Sequence, residues 1–279
     1  MLLETINDFN KNISQDPDKT IGLVPTMGAL HQGHLSLIEQ AKKDCDRVVV
    51  SIFVNPTQFN DPNDLSKYPR TLSHDIEVIQ KIDKNIIIYV PSVDEIYPET
   101  VESHNYNFGS LTKYMEGQYR KGHFDGVATV LNRLFELLKP DKAYFGKKDY
   151  QQLAVVRKLV QLTNKSVEII GCETYREANG LAKSSRNKLL DADDKLKAGL
   201  IYKCLKLTKS NFKSKSVSDI KKMVKSAFKS SENLKLEYFE IASIDDLIPT
   251  EEIQSSKKYR AFIAAYNKGV RLIDNIALN

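Results

Sequence analysis

The sequence predicts an α/β protein with a parallel sheet, followed by a smaller α+β domain. From residue 20 to about residue 172, short apolar runs typical of strands alternate with segments of helical period, which is the pattern of β-α-β units. After about residue 174 the pattern changes to two helical stretches and then three strand-like runs. We therefore predict a first domain over residues 1–174 and a second domain over residues 175–279.

The elements of the first domain follow from its apolar periodicity. Strands are predicted at residues 20–26, 47–54, 85–90, 142–146 and 166–172. After the first strand, Leu35, Ile38 and Ala41 share one helix face. A later helix, which Pro140 ends, has an apolar face formed by Val127, Val130, Leu131, Leu134 and Leu138.

The second domain begins with helical stretches around residues 188–209 and 217–229. Strands are predicted at 234–242, 259–266 and 270–276. The last two strands flank Asn267-Lys268-Gly269, which is typical of a hairpin because glycine readily adopts positive φ. The second domain is therefore predicted to contain an antiparallel sheet.

The composition excludes several classes of protein. The 279 residues include 41 Lys and Arg against 36 Asp and Glu, a formal net charge of +5 that does not describe a polyelectrolyte. The longest apolar runs have the length of strands and are too short to span a bilayer. The first residues lack a basic segment followed by an apolar core, so we expect a cytoplasmic protein with no membrane partner. Cys45, Cys172 and Cys204 form no C-x-x-C pair, and we expect them to be reduced and buried.

Polar segments follow four of the predicted strands. In an open parallel sheet, ligands bind beyond the carboxyl ends of the strands, where loops and helix N-termini meet. The four segments are residues 25–34, 55–58, 146–152 and 176–187. We expect these loops to share one crevice.

The first of these loops indicates an anion site. Gly28 and Gly33 allow tight turns, and His31 and His34 lie three residues apart at a helix start, beside free N–H groups and the positive end of the helix dipole. The sequence contains neither the dinucleotide pattern G-x-G-x-x-G nor the P-loop pattern. Two alternatives stay open for the histidines, a capped helix start and a zinc pair that lacks its other ligands.

Two later loops carry cations suited to phosphate. After Gly146, Lys148 could neutralise phosphate charge, and Asp149 could hold the loop or a magnesium-water shell. The alternative is that both side chains are solvated, as charged loop residues commonly are. The run Lys183-Ser184-Ser185-Arg186 combines two hydroxyls, two cations and successive backbone N–H groups, as an anion clamp would. The same serines could cap the next helix, and the two roles are compatible.

Gln58 and Gln152 are neutral amides on two of the four loops. Such amides suit a hydroxylated substrate whose own carboxylate must stay able to react. By themselves they identify no substrate.

Six segments of the chain resemble a known family. They are PTMGALHQGHLSLI, FVNPTQF, YPRT, HFDGVATVLNRLF, YFGKKDYQQL and REANGLAKSSRN, and they occur in this order between residues 20 and 190. The set closely resembles the pantothenate synthetase, or pantoate–β-alanine ligase, family. The resemblance implies a Rossmann-like nucleotidylyltransferase domain of the HxGH superfamily, with ATP and Mg²⁺ used by a cytoplasmic homodimer.

The resemblance also implies a two-step reaction. The carboxylate of (R)-pantoate attacks the α-phosphorus of ATP to give pantoyl adenylate and pyrophosphate, and the amine of β-alanine then displaces AMP. Attack of one anion on another needs positioning and charge neutralisation more than covalent help. The loops described above supply both.

Roles carry over from the family to matching positions. His34 matches the family's proton donor, with His31 and Lys148 on the phosphates, and Gln58 and Gln152 match the residues that hold pantoate. The nucleotide site would be lined by Met27, Gly28, Ala29, Leu30, His31, Gln32, Gly33, His34, Gly146, Lys147, Lys148, Asp149, Tyr175, Lys183, Ser184, Ser185 and Arg186. A mobile segment near the pantoate and amine side is matched by Glu116, Arg120 and His123, and a gate tyrosine by Tyr68. No protein metal ligand is assigned.

The chain departs from the family pattern at three positions. Asn179 and Lys183 replace an acidic and an aliphatic residue that are frequent in the family, and Tyr175 replaces a valine whose backbone reads adenine. Lys183 either adds a cation to the phosphate loop or points outward. None of the three changes removes a catalytic group.

Two alternatives compete with this interpretation. The first is another acyl-adenylate-forming ligase or nucleotidylyltransferase of the same superfamily, against which Gln58 and Gln152 favour pantoate. The second is RNA binding by the lysine-rich stretch 195–230. In that stretch lysines interleave with Leu196, Leu200, Leu205, Val224 and Phe228, as in an amphipathic helix with a solvated face, so we expect no nucleic-acid partner.

Overall fold

The computed structural model describes residues 1–14, 16–60 and 62–279. The chain forms two compact units. The first unit comprises Met1–Phe108, Arg120–Lys147 and Gln152–Glu173. The second unit comprises Gly109–Tyr119, Lys148–Gln151 and Thr174–Asn279, so it includes two short segments that precede residue 174 in the chain.

The first unit is built on a six-stranded sheet in which all neighbouring strands are parallel. Its strands are β1 (Leu2–Leu3), β2 (Ile21–Thr26), β3 (Arg47–Ile52), β4 (Ile87–Tyr89), β5 (Lys142–Gly146) and β6 (Glu168–Cys172). The order β1-β4-β3-β2-β5-β6 places β2 between β3 and β5, where the winding of the sheet reverses. The loop after β2 therefore emerges at the switch point, where α/β sheets bind their ligands. The predicted α/β fold with a parallel sheet is confirmed.

The helices lie at the positions that capping and periodicity dictate. In chain order they are α1 (Ile6–Ile13), α2 (Gln32–Asp44), α3 (Pro62–Lys67), α4 (Leu72–Ile82), α5 (Val93–Ile96), α6 (Glu116–Tyr119), α7 (His123–Leu138), α8 (Tyr150–Leu162), α9 (Ala192–Ala198), α10 (Leu200–Asn211) and α11 (Val217–Lys229). In the first unit, Ile38 and Ala41 of α2 and Ile79 of α4 pack with Val50 and Ile88 of the sheet, and all five are fully buried. This core fixes α2 and α4 against the strands that carry the site loops.

The second unit contains the antiparallel sheet β7 (Leu234–Ser243), β8 (Tyr259–Asn267) and β9 (Val270–Ala277). Lys268 and Gly269 connect β8 to β9, and both have positive φ, as expected for a two-residue hairpin turn. One face of the sheet packs against α10 and α11, where Leu205 and Val224 are fully buried. The predicted hairpin and antiparallel sheet are confirmed.

Strand β7 contains a bulge. Leu236 pairs with Ala265 but Tyr238 pairs with Ala264, so Glu237 is an extra residue on this strand. The core-facing residues are Leu234 and Leu236 before the bulge and Phe239 and Ile241 after it. The bulge thus shifts the side-chain alternation by one residue, so that both apolar pairs face the same core.

Two sequence-based expectations about the helices of the second unit need correction. The helical stretch 188–209 is divided into a 3₁₀ turn at Ser185–Leu189, α9 and α10, which meet at Gly199. Leu196 is 66% exposed and does not join the apolar face, whereas Leu205, Val224 and Phe228 do. Lys197 and Lys222 pair with Asp193 and Asp219 one helical turn away, as on a solvated face.

Only one of the three cysteines is buried. Cys204 lies in the core of the second unit, and burial raises the pKa of its thiol to about 11. Cys45 is the C-cap of α2 and Cys172 is the last residue of the edge strand β6, and both are half-buried. Burial raises the pKa of each thiol. Among the residues that the structure describes, no helix is both long and apolar enough to cross a membrane.

We predict that Gly126→Ala destabilises the first unit although alanine favours helices. A Cβ at Gly126 would lie 2.4 Å from the carbonyl oxygen of Thr57, so the 55–58 loop or α7 must move. We expect the free energy of unfolding to fall by about 1–3 kcal/mol, measured by chemical denaturation. Gly146→Ala is the control, since a Cβ there meets no described atom within 4 Å. Equal stability of the two variants would contradict the prediction.

Candidate active site

The loop after β2 has the tight backbone that its glycine predicts. Gly28 and Ala29 have φ of +79° and +50°, which brings two successive peptides into the left-handed region. The hydroxyl of Thr26 accepts a hydrogen bond from the N–H of Gly28 at 3.2 Å and donates to the carbonyl of Ser51 on β3 at 2.9 Å. The loop is therefore tied to the end of the neighbouring strand.

A buried carboxylate holds the same loop from the other side. Asp75, in the first turn of α4, is fully buried and accepts hydrogen bonds from the N–H groups of Ala29 at 2.9 Å and Leu30 at 2.8 Å. Its Oδ2 also accepts from the hydroxyl of Thr71 at 3.1 Å. Positive φ at a residue other than glycine is unfavourable, so these bonds stabilise a conformation that Ala29 would otherwise avoid.

The two histidines lie together at the start of α2. His31 is the N-cap, and its Nδ1 accepts a hydrogen bond from the N–H of Gly33 at 3.1 Å. Because Nδ1 accepts, the ring proton of neutral His31 is on Nε2, which makes Nε2 the donor atom. The rings of His31 and His34 stack with centroids 4.0 Å apart. The helix start therefore presents two imidazoles beside its positive dipole end, as the sequence predicted.

The second loop meets the first loop through Gln58. The side-chain amide of Gln58 donates to Sδ of Met27 at 3.0 Å and accepts from Nδ2 of Asn55 at 3.1 Å. Asn55 is 1% exposed, and it also donates to the carbonyl of Gly126 and accepts from the hydroxyls of Thr57 and Tyr97. Every polar atom of the Asn55 side chain is thus used to fix the loop that carries Gln58.

His123 fixes the backbone of the same loop. Its Nε2 lies 2.9 Å from Nη1 of Arg120, and its Nδ1 lies 2.9 Å from the carbonyl oxygen of Gln58. Arginine can only donate, so Nε2 accepts and Nδ1 donates to Gln58. Tyr68 packs edge-on against Phe59, the residue after Gln58. The structure therefore places Arg120, His123 and Tyr68 around the Gln58 loop.

Gly146, Lys147 and Gln152 also belong to the first unit. Lys147 pairs with Glu173, the residue that follows β6. Gln152 is half-buried in the first turn of α8. Gly146 is the last residue of β5, the neighbour of β2 in the sheet, and Lys147 and Gln152 follow it.

Lys148 and Asp149 belong to the second unit, and their side chains lie 3.4 Å apart. Two residues later, Gln151 is 4% exposed and donates to the carbonyls of Leu111 and Tyr114, while its Oε1 accepts from the N–H of Glu116. Gln151 therefore holds the segment 109–116 and is a structural residue.

Glu116 is engaged in a buried ion pair. Its carboxylate accepts from Arg271 at 2.7 and 2.8 Å and from the hydroxyl of Tyr238 at 2.8 Å. Glu237 shares the same guanidinium at 2.6 Å. Although burial of Arg271 opposes its charge, the two carboxylates raise the pKa of the guanidinium further above its usual value. This network joins α6 to β7 and β9.

The serine loop is a compact turn in the second unit. Arg176 and Ala182 form an antiparallel bridge, and Gly180 closes the turn with φ of +90°. Ser184 caps the 3₁₀ turn Ser185–Leu189 by accepting from the N–H of Arg186 at 3.3 Å. The cap expected as an alternative is therefore present.

The three departures from the family pattern have local explanations. Lys183 pairs with Glu177 at 3.3 Å. Burial opposes ionisation of Glu177, but hydrogen bonds from Asn187 and Lys183 hold the pKa of its carboxyl below the usual value. Asn179 donates to the carbonyl of Lys195 at 2.7 Å and so anchors the loop to α9. The side chain of Tyr175 is 45% exposed, and its carbonyl accepts from the N–H of Lys183.

Each unit thus brings part of the predicted set together. In the first unit Gln58 contacts the loop Met27–His34 through Met27, and in the second unit Lys148 and Arg176, at the start of the serine loop, both contact β9. The supporting residues Asp75, Asn55 and Gln151 were not predicted from the sequence. Among the described residues, no group of three or more His, Cys, Asp or Glu side chains could hold a metal ion, so the two histidines have no zinc partners there.

The fold and the loops define a class of enzyme. A parallel sheet with two histidines at the helix start after its central strand, and a separate serine loop, has the parts of a Rossmann-like nucleotidyl-transferring enzyme. A family model described as pantoate-beta-alanine ligase matches residues 1–277.

Similar proteins agree with the family model. The chain is 51% identical to pantothenate synthetase of Christiangramia forsetii over 261 residues, covering 94% of this chain and 92% of the relative. It is 50% identical to pantothenate synthetase of Flavobacterium psychrophilum over 273 residues, covering 98% and 96%. The crystal structure of pantothenate synthetase from Thermus thermophilus superposes with a TM-score of 0.91 at 36% identity and 99% coverage of both chains.

A further solved structure was obtained with ligands. Pantoate-beta-alanine ligase from Francisella tularensis, complexed with beta-gamma ATP and beta-alanine, superposes with a TM-score of 0.82 at 36% identity, covering 100% of this chain and 97% of the other. The chain belongs to the pantoate–β-alanine ligase family. It is therefore a ligase.

We predict that Asp75→Asn destabilises the loop after β2. The amide offers one acceptor oxygen where the carboxylate serves three donors, so at least one buried N–H or hydroxyl loses its partner. We expect the free energy of unfolding to fall by about 1–3 kcal/mol, and ATP affinity to fall with it. Denaturation and calorimetric titration with ATP measure the two effects.

Asp141→Asn is the matched control for this prediction. Asp141 accepts from the N–H of Ile21 at 2.7 Å, at the opposite end of β2. Its amide variant keeps one acceptor oxygen for this single N–H, so it should keep both its stability and its ATP affinity. The prediction is contradicted if both variants bind ATP as tightly as the unmodified chain.

Proposed function

We propose that this chain condenses (R)-pantoate with β-alanine in an ATP-dependent, AMP-forming reaction that passes through pantoyl adenylate. The observation that carries the proposal is the pair of stacked imidazoles of His31 and His34 at the N-terminus of α2, on the loop that Gln58 contacts through Met27. An anion-binding helix start next to a neutral amide is what the attack of a carboxylate on a nucleotide phosphate requires.

In the first step, one oxygen of the pantoate carboxylate forms a bond to the α-phosphorus of ATP, and the bond from that phosphorus to the bridging oxygen breaks to release pyrophosphate. His31 would donate from Nε2 to a phosphate oxygen, since its Nδ1 is used by Gly33. His34 would stabilise the charge that develops on the leaving group. In the second unit, Lys148, Ser184, Ser185 and Arg186 are assigned to the phosphates as well.

Gln58 and Gln152 are assigned to pantoate. Both side chains are uncharged, so they can hydrogen-bond the hydroxyls of pantoate without neutralising its carboxylate, which must act as the nucleophile. Gln58 is already positioned by Asn55 and by the Nδ1–H of His123 through its own carbonyl. A rigid loop reduces the ordering that substrate binding would otherwise require.

In the second step, the neutral amine of β-alanine attacks the acyl carbon of the adenylate. The bond between that carbon and the phosphate oxygen breaks, AMP leaves, and the amine loses a proton. Binding the mixed anhydride in a water-poor site prevents its hydrolysis before the amine arrives.

Three further features belong to the proposal on the strength of the family resemblance. Magnesium enters with ATP, as the counterion of the triphosphate substrate, and needs no ligand from the protein. The chain acts as a homodimer. It works in the cytoplasm, where all three small-molecule substrates would be present.

We predict that His34→Ala slows pyrophosphate release by about 10²–10³-fold, the usual effect of removing one group that stabilises transition-state charge. The rate is measured with ATP, magnesium and (R)-pantoate in the absence of β-alanine. His104→Ala is the control because its side chain is exposed, and it should react at the unmodified rate. Normal pyrophosphate release by the His34 variant would disprove its assignment.

We also predict that Gln58→Ala raises KM for pantoate at least about tenfold, the effect of losing one or two hydrogen bonds, while KM for ATP changes much less. Initial rates at varied concentrations of each substrate provide both values. Gln161→Ala, an exposed glutamine on α8, should change neither constant. If both constants rose equally for the Gln58 variant, the loop would not be the pantoate site.

A further inference from the structure

Two adjacent polar residues are buried in the middle of β9. Asp274 is 3% exposed and Asn275 is 4% exposed. They pair across the sheet with Ile263 and Phe262, so their side chains lie on opposite faces of the sheet. The face that carries Asp274 also carries Ile263 and packs on α10 and α11, and the opposite face carries Phe262, which contacts Tyr150.

Asp274 anchors the start of the serine loop. Its carboxylate accepts two hydrogen bonds from the guanidinium of Arg176, at 2.6 and 3.0 Å. The same guanidinium donates to the carbonyl of Gly180 at 3.0 Å and lies 3.8 Å from the centre of the Tyr202 ring. One bidentate ion pair therefore joins β9 to both ends of the turn 176–180, from which the loop with Ser184, Ser185 and Arg186 continues.

Asn275 anchors the lysine loop on the other face. Its Nδ2 donates to the carbonyl oxygen of Lys148 at 2.6 Å, and its Oδ1 accepts from Arg260. Arg260 in turn lies 4.0 Å from the centre of the Tyr150 ring. The residues on both sides of Asp149 are therefore held to β8 and β9.

Stability alone does not explain these two side chains. Most other buried positions of the sheet are apolar, and a buried ion pair is commonly no more stabilising than apolar residues of similar size. The two residues share their contacts with the two cationic loops of the second unit. Two adjacent residues of β9 thus contact both loops, through the carbonyl of Lys148 and the guanidinium of Arg176.

We propose that Asp274 and Asn275 are positioning residues for adenylation, which fix the spacing between Lys148 and the serine loop so that both reach the phosphates of one nucleotide. The inference rests on the proposed function, because it assumes that both loops bind ATP. It adds residues that touch neither the substrate nor the reacting atoms. They act through the backbone of Lys148 and the side chain of Arg176.

The test compares Asn275→Asp with Asn267→Asp. The first variant keeps the shape of the side chain and the acceptor for Arg260, but it turns an oxygen toward the carbonyl of Lys148. Asn267 is the matched control, since it is fully buried in the same sheet and its Nδ2 donates to the carbonyl of Asp194 at 2.9 Å. Each variant loses one side-chain donor to a backbone carbonyl. Only Asn275 makes this contact with a loop that is assigned to the phosphates, through Lys148.

Pyrophosphate release with (R)-pantoate and thermal unfolding are measured on the same samples of full-length protein. We expect Asn275→Asp to lower kcat for this half-reaction about tenfold, the scale of one lost hydrogen bond to a buried group, with KM for pantoate unchanged. Asn267→Asp should lower Tm to a similar extent and leave kcat within about twofold. Equal kcat in the two variants would overturn the inference.

Two further variants keep the inference falsifiable if the added charge disturbs folding. Asn275→Ala introduces no charge beside Asp274 and should show the same loss of kcat. The double variant Asp274→Asn with Asn275→Asp conserves the composition but places each group on the wrong face of the sheet. Its kcat should therefore fall at least as much as that of Asn275→Asp. An exchanged variant with unchanged kcat would overturn the inference.

A failure of the proposed function would look different. If the unmodified protein releases no pyrophosphate with pantoate, the proposed function fails, and the inference fails with it. If the unmodified protein is active and Lys148→Ala is slow, but Asn275→Asp matches Asn267→Asp, only the inference on β9 fails.

Discussion

The site in the first unit depends on the carboxylate of Asp75. The loop after β2 turns through Gly28 and Ala29, both with positive φ, and a chain that turns so tightly at the centre of a sheet leaves N–H groups that no strand can satisfy. Asp75 lies in α4, which begins more than forty residues after this loop in the chain. Its carboxylate accepts hydrogen bonds from two of these N–H groups, those of Ala29 and Leu30. The position of His31, and through it the start of α2, follows from this contact. A helix N-terminus useful to an anion is therefore held in place by a buried anion of the protein itself.

Much of the fold followed from the sequence because its signals are local. Apolar alternation predicted the strands of both sheets to within a few residues, and Asn267-Lys268-Gly269 predicted the hairpin. The strand β1 was missed because two residues form no pattern, and it is defined only by its pairing with β4. Gly199 divides a stretch whose periodicity reads as one helix, because a break of one residue hardly changes the periodicity.

The site was predictable only in part, for a related reason. The residues expected to meet substrate stand in loops with unusual composition, and the resemblance to a family carried their roles. The residues that hold those loops do not stand out, because Asp75, Gln151 and Asn275 lie in ordinary helical or strand patterns. Their side chains contact backbone atoms between 35 and 127 residues away in the chain. Every residue has these backbone atoms, so the sequence does not indicate which residue is the partner.

The bulge at Glu237 determines which side chains of β7 face the core. Leu234 and Leu236 have even numbers and Phe239 and Ile241 have odd numbers, yet all four face the same core because Glu237 is an extra residue in the strand. The extra residue lets Glu237 and Tyr238, although adjacent, both serve the ion pair of Glu116 and Arg271. If the same residues formed a regular strand with no bulge, one of the two apolar pairs would turn away from the helices. In this strand the one extra residue, and not the hydrophobicity of its side chains alone, keeps both apolar pairs on the face that packs against the helices.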